Sequence, residues 1–264
     1  MDNHNLSETV KAMQWAEIPT YGPACIHLTD IEGIDNQYDL VHMGRLTLIN
    51  GEDGNGKTYL ANQIASNIAA QEMPTLVVTS TDSSAERKFA IAAQSIPDYD
   101  VKAGDSTSQI IKREMNSIND HIGNSMYILG GYDSSAIDEA LKTHRFSLLV
   151  IDDFENAEEE IIDSSPSMLR DYEARKMLMS DLIRFARVYR VAVIVVSRYL
   201  RRVFNDITKV RSNQWCINDP FLSILTCTKT DTGLKVLVEK VQSSSELYRT
   251  TVELHRNPIT NRIS

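Results

Sequence analysis

The run Gly51-Glu52-Asp53-Gly54-Asn55-Gly56-Lys57-Thr58 satisfies every fixed position of the pattern G-x-x-x-x-G-K-[ST]. The chemistry that such a run supports is the capture of a polyphosphate. Glycines let the backbone fold tightly, so that successive N–H groups point at one anion, and a helix starting near Lys57 adds its positive end. The Lys57 ammonium reaches the β- and γ-phosphates of a nucleoside triphosphate, and the Thr58 hydroxyl offers one ligand position to Mg²⁺. Gly51, Asp53, Gly54, Asn55, Gly56, Lys57, Thr58 and the adjoining Tyr59 are therefore the candidate nucleotide contacts, with ATP and Mg²⁺ as the expected ligands. Read as structure alone, the same run is a Gly-rich strand-to-helix turn that carries a lysine.

Hydrolysis asks for two more groups, a carboxylate beside the metal and something that orients the attacking water. The apolar run ending Leu148-Leu149-Val150-Ile151 leads into Asp152-Asp153, which sets a carboxylate at the C-terminal edge of a sheet, where ligands of such folds sit. Asp152 is the candidate metal-side acid. A second run, Leu76 to Thr79, leads into Ser80-Thr81-Asp82-Ser83-Ser84. If that strand neighbours the phosphate-loop strand, Asp82 could polarise water; equally, Asp82, Ser83 and Ser84 with Glu86 read as a helix start. Asp153 and Glu155 are the substitutes. A third run, Val191 to Val196, leads into Ser197 and Arg198, polar groups placed to sense a γ-phosphate. The loop after it carries Arg201, Arg202, Lys209 and Arg211 with little acid besides Asp206. It is a candidate contact for single-stranded nucleic acid, whose backbone is tracked by cations, or else a solvated loop paired with acids such as Glu158 to Glu160.

These residues need a scaffold, and the hydrophobic pattern predicts one. Apolar strands ending at Asn50, over 75–79, 126–129, 146–151 and 191–196 alternate with helices over about 57–71, 84–95, 108–120 and 169–189. Continuous apolar strands separated by helices predict a parallel sheet covered on both faces. After residue 220 the pattern changes to a β-hairpin, 221–229 and 234–240 around the turn Asp231-Thr232-Gly233, with one more strand over 248–255. Residues 1–30 read as an N-terminal helical or linker segment, with a short amphipathic helix from Leu6 to Trp15, and residues 31–264 as one core.

The chain has 264 residues and a formal net charge of −9, which argues against a surface coated for nucleic-acid binding while leaving room for a local basic loop. No apolar stretch approaches the roughly 20 residues that cross a bilayer, so a cytoplasmic protein with no membrane contact is expected. Cys25, Cys216 and Cys227 lack metal-ligand or redox spacing, and disulfides are not expected. The acidic run from Asp152 to Glu160 reads in its second half as a solvated loop or helix start, with protein docking at Glu158 to Glu160 as the alternative.

Taken in order, these parts resemble the RecA superfamily, and more narrowly the C-terminal ATPase domain of DnaB-type replicative helicases of bacteria and phages. Leu46 to Ala65 is similar to that family's first strand, phosphate loop and helix. Leu76 to Glu86 resembles the strand ending in its catalytic glutamate, with Asp82 on that position; Leu148 to Asp152 resembles its metal-side strand. Tyr172 to Arg187 resembles the next helix, and Val191 to Arg201 the strand whose Ser-Gln-Leu-Asn-Arg ending senses the γ-phosphate. The likeness runs from about Ile31 to the C-terminus. It implies an α/β, RecA-like P-loop NTPase with a mostly parallel central sheet, flanking helices and a C-terminal antiparallel β-hairpin extension. It further implies an ATP-hydrolysing motor on single-stranded DNA, assembled as a hexameric ring or filament, with other replication or repair proteins as partners.

Departures from the family are as informative. Asp82 stands for Glu, one methylene shorter, and Arg198 for the usual Gln. The family's hairpin carries a Lys and an Arg that act on the neighbouring subunit's nucleotide; Glu239-Lys240-Val241-Gln242 keeps the Lys and puts Gln where the Arg is expected. An arginine finger contributes about 10³ to 10⁵ in rate, so its loss predicts slow turnover unless Arg198, Arg249 or Arg256 substitutes. Two other readings stay open: a RecA- or KaiC-like ATPase of recombination or repair, and a helicase accessory or scaffold that binds ATP but scarcely hydrolyses it.

Overall fold

The computed structural model describes residues 31, 34, 41–80, 84–102, 104–164, 171–198, 221–241 and 247–264. The expected features at Leu6 to Trp15, Asp82, Arg201, Arg202, Lys209, Arg211 and Gln242, and the thiols Cys25 and Cys216, lie outside the described residues.

Five strands alternate with helices: β1 (Leu46–Asn50), β2 (Thr75–Thr79), β3 (Met126–Gly130), β4 (Leu148–Ile151) and β5 (Ala192–Ser197). Every residue of β1, β2, β4 and β5 is buried, as their unbroken Val, Ile and Leu content requires of strands covered on both faces. Three longer strands follow, β6 (Phe221–Lys229), β7 (Gly233–Val241) and β8 (Leu247–His255). All eight form one sheet in the order β3-β2-β4-β5-β1-β6-β7-β8.

One feature of that order differs from the sequence reading. β2 does not flank the phosphate-loop strand: β5 and β4 stand between them, because both sides of β1 are taken by parallel partners, β5 and β6. The C-terminal extension is antiparallel as expected, and a parallel pairing joins it to the core. β6 continues the parallel set, and antiparallel pairing begins only at β6 with β7 and β7 with β8.

The helices are α1 (Lys57–Ala70), α2 (Ser84–Gln94), α3 (Thr107–Ile118), α4 (Ser134–Thr143), α5 (Phe154–Ser164) and α6 (Asp171–Tyr189). Successive strand residues point to opposite faces, and two apolar layers result. On one face Ile49, Val77, Val150 and Ile194 pack with Ile64, Ile68 and Ile110 of α1 and α3. On the other Leu48, Val78, Leu149 and Val193 pack with Ile137, Leu178, Leu182 and Phe185 of α4 and α6. The second half of the acidic run is thus the start of a helix, α5, one of the two alternatives offered for it, and α4 is a helix that the periodicity did not predict. Among the described residues no helix is long and apolar enough to cross a membrane.

After β8 the chain turns back on itself. Gln63 Oε1 accepts from Ile263 N at 3.1 Å, the Thr107 hydroxyl donates to Ile259 O at 2.7 Å, and Arg262 Nη1 donates to Gln94 O at 3.1 Å. Thr260 and Ile263 are buried by this tail.

Candidate nucleotide site

Parallel strands release their chain at one edge of the sheet, and β1, β4 and β5 do so side by side: Asn50 is in register with Ser197, and Ile151 with Val195. The loop from β1 to α1 is held from below by the C-terminal strands. A methyl group on Gly51 would lie 2.6 Å from the Cys227 carbonyl oxygen of β6, so only glycine fits there. Gly56, the residue before α1, has φ 77°, and the Leu234 side chain of β7 closes under it. Asn55 Oδ1 accepts from Lys229 N at 3.4 Å, a further tie between the loop and β6. Cys227 itself is a buried free thiol, pushed up to about 12 by burial.

At the start of α1, Lys57 is buried to 9% exposure, its Nζ donating to Glu52 O at 2.9 Å and lying 3.8 Å from Asp53 Oδ1. The ammonium therefore curls back over its own loop, across the space that a phosphate tail would fill. Thr58 Oγ1 donates to Asp152 Oδ1 at 3.0 Å. That contact joins the two residues singled out for metal binding, across α1 and the end of β4. A hydroxyl and a carboxylate so disposed are hard oxygen donors of the kind Mg²⁺ selects, so the residues present fit that ion. Burial pushes the Asp152 carboxyl above its ordinary range, against the opposing pull of Arg87 and of the Thr58 hydrogen bond.

Arg87 is the residue sequence reasoning missed. Its guanidinium forms an ion pair with Asp152 through Nη2 and Oδ2; Nη1 also donates to Asn62 Oδ1 at 3.2 Å and Nη2 to Thr79 Oγ1 at 3.4 Å. No spacing rule marks an arginine inside Ala85-Glu86-Arg87-Lys88, where alternating charge reads as a solvated helix face.

After β4, Asp153 turns the chain with φ 73°, and its carboxylate accepts from Asn156 N at 3.1 Å, capping α5. Glu155, buried in the first turn of α5, accepts from the Ser197 hydroxyl and from Arg198 N at 2.8 Å. Of the two residues at the end of β5, then, Ser197 is turned into the protein, while Arg198 extends over the cleft, its Nη1 3.4 Å from Asp53 Oδ2. Asp53, Lys57, Thr58, Tyr59, Arg87, Asp152 and Arg198 line one cleft of about 640 Å³, a volume suited to a small ligand.

For Lys240 the strand register gives the backbone position alone. Its backbone pairs with Ser223, at the level of Thr47 and back from the cleft edge that Asn50 marks. Of the other two arginines considered as finger substitutes, Arg249 is paired with Glu239, whereas Arg256 lies 4.5 Å over the Tyr59 ring at the cleft wall.

No family model matches the chain, and no curated protein matches it. Among solved structures it is similar to the ATPase domain of a DnaB-like helicase, at 15% identity and a TM-score of 0.63, over 100% of this chain and 99% of that one. The two chains share a fold. A DnaB-like replicative helicase, solved to describe its interactions with primase, is similar at 14% identity and a TM-score of 0.65, over 96% of this chain and 66% of that one. Both matches agree with the RecA-like architecture expected from the order of motifs: a mostly parallel sheet with antiparallel C-terminal strands.

Proposed function

We propose that this protein is an ATP-hydrolysing motor of the DnaB-like type that acts on single-stranded DNA. The observation that carries the reading is the joining of Lys57, Thr58 and Asp152 in one cleft at the sheet edge, on a helicase-type fold. In this reading Lys57 gives up its loop carbonyl for the β- and γ-phosphate oxygens, and the backbone N–H groups from Gly51 to Thr58 surround the rest of the tail. Thr58 and Asp152 hold Mg²⁺, which when bound draws charge from the phosphates; Asp82 orients water. Arg198 leaves Asp53 for the γ-phosphate and does in cis what the missing trans arginine would do, while Ser197 keeps the end of β5 in place. Lys240 reaches a neighbouring subunit's nucleotide. Arg201, Arg202, Lys209 and Arg211 grip the DNA backbone, and the subunits form a ring or filament around it.

ATP hydrolysis measured with and without single-stranded DNA tests this. Wild type is expected to turn ATP over faster with DNA, Lys57→Ala to lose about 10² or more of that rate, and Arg198→Gln to fall by about 10³ if it acts as a cis finger. Wild-type turnover no faster than that of the Lys57 variant would end the motor reading, and full activity in Arg198→Gln would end the cis-finger role. Strand displacement on a forked substrate then separates a helicase from a RecA- or KaiC-like ATPase. Gln242 favours one further reading, an ATP-bound accessory or scaffold protein; it predicts tight nucleotide binding with turnover indifferent to DNA.

A further inference from the structure

Both oxygens of Asp152 are occupied in this structure. Oδ1 accepts from Thr58, and Oδ2 is paired with Arg87, whose side chain is 10% exposed against 2% for Asp152. A cation entering on the Oδ2 side must therefore displace a guanidinium. A displaced guanidinium at that depth cannot be left unpaired, because an uncompensated buried charge is strongly unfavourable. The described acids around the cleft are otherwise engaged: Asp53 lies beside Lys57 and Arg198, Glu155 accepts from Ser197 and Arg198, and Asp153 caps α5. Arg87 lines the same cleft as Lys57, and its Nε is buried without a hydrogen-bond partner among the described residues. The fork thus has a donor to spare, and arginine forks match phosphate oxygens.

We propose that Arg87 is a triphosphate-sensing residue of this site. Without nucleotide it holds Asp152; with a metal–triphosphate bound it turns onto the terminal phosphate. The proposal rests on the nucleotide-site reading above and deepens it. A diphosphate offers no terminal phosphate at that position, so Arg87 stays on Asp152 and competes with the metal. The site then discriminates triphosphate from diphosphate by exchanging one anion for another around a single cation, without moving a charge through an unpaired state.

The test is binding, not turnover. Affinities for a non-hydrolysable ATP analogue and for ADP are measured by calorimetry as Mg²⁺ is titrated, with wild type, Arg87→Met and Arg87→Lys. Wild type should prefer the triphosphate by about tenfold or more, which is about 1.4 kcal/mol. Arg87→Met should hold ADP at least as tightly as wild type, lose most of that preference, and need several-fold less Mg²⁺ for half-maximal ADP binding, because Asp152 is freed. Arg87→Lys, which keeps the charge but not the fork, should recover part of the preference. An unchanged preference in Arg87→Met, or an equal loss for both nucleotides with no recovery in Arg87→Lys, would overturn the proposal. Wild type that binds neither nucleotide would instead remove the reading on which it rests.

Discussion

Gly56 shows how narrowly single residues are constrained around the phosphate loop. It combines φ 77° with a Leu234 Cδ2 that an added methyl would meet at 2.4 Å. Gly56→Ala is therefore expected to cost about 1–3 kcal/mol, chiefly through backbone strain at this φ while the Leu234 side chain gives way, and to weaken nucleotide binding because the strained loop presents its N–H groups less well. Thermal unfolding and nucleotide titration of the variant check both. At this scale the residues singled out by motif and strand end, Lys57, Thr58 and Asp152, lie in one cleft. The sequence was illegible where a group is recruited from a helix by tertiary packing. Nothing near Arg87 announces that its guanidinium turns inward to Asp152, and nothing near Glu155 announces that it holds the Ser197 hydroxyl.

At the scale of elements, the acidic helix α5 is bound to α6 by a fork in which Arg175 Nη2 and Nε reach Glu158 at 2.8 and 3.2 Å. Glu160 accepts from Asn156 Nδ2 at 3.0 Å and from the Tyr132 backbone N–H. Two of the three glutamates expected to be solvated, or to dock a partner, are thus spent within the fold. Because Glu158 is buried, Glu158→Gln removes the charge from its pair with Arg175 and is expected to cost about 3 kcal/mol in urea unfolding, with nucleotide affinity little changed. Strands were readable as apolar runs because burial on both faces removes any polar alternation. The helix α4 was not, since it buries only Ile137 and Leu141 and its start is fixed by one Asp133 cap. The place of β2 was misread for a different reason: strand order is decided by which crossovers pack, and adjacency in sequence does not carry it.

For the molecule as a whole, the C-terminal turn after β8 secures the sheet's outer strands to the helices on one face. Removing residues 257–264 would delete the bonds to Gln63, Gln94 and Thr107 and expose the ground under Thr260 and Ile263. The expected loss is about 2–5 kcal/mol, read as a lower denaturant midpoint, with a smaller change in the far-ultraviolet spectrum than unfolding would give. Such a return of the chain was not legible, because its partners are backbone carbonyls and glutamine side chains whose pairing leaves no pattern in the sequence.

Gln94, the last residue of α2, completes that connection. Its amide donates to Tyr59 O at 2.9 Å and to Asn261 O at 3.0 Å, so one side chain spans the helix of the phosphate loop and the returning tail. It ends the helix that carries Arg87. The tail clasped there is the continuation of β8. One amide thus ties together the helix that carries Arg87, the helix that follows the phosphate loop, and the tail that continues β8, all on one face of the sheet.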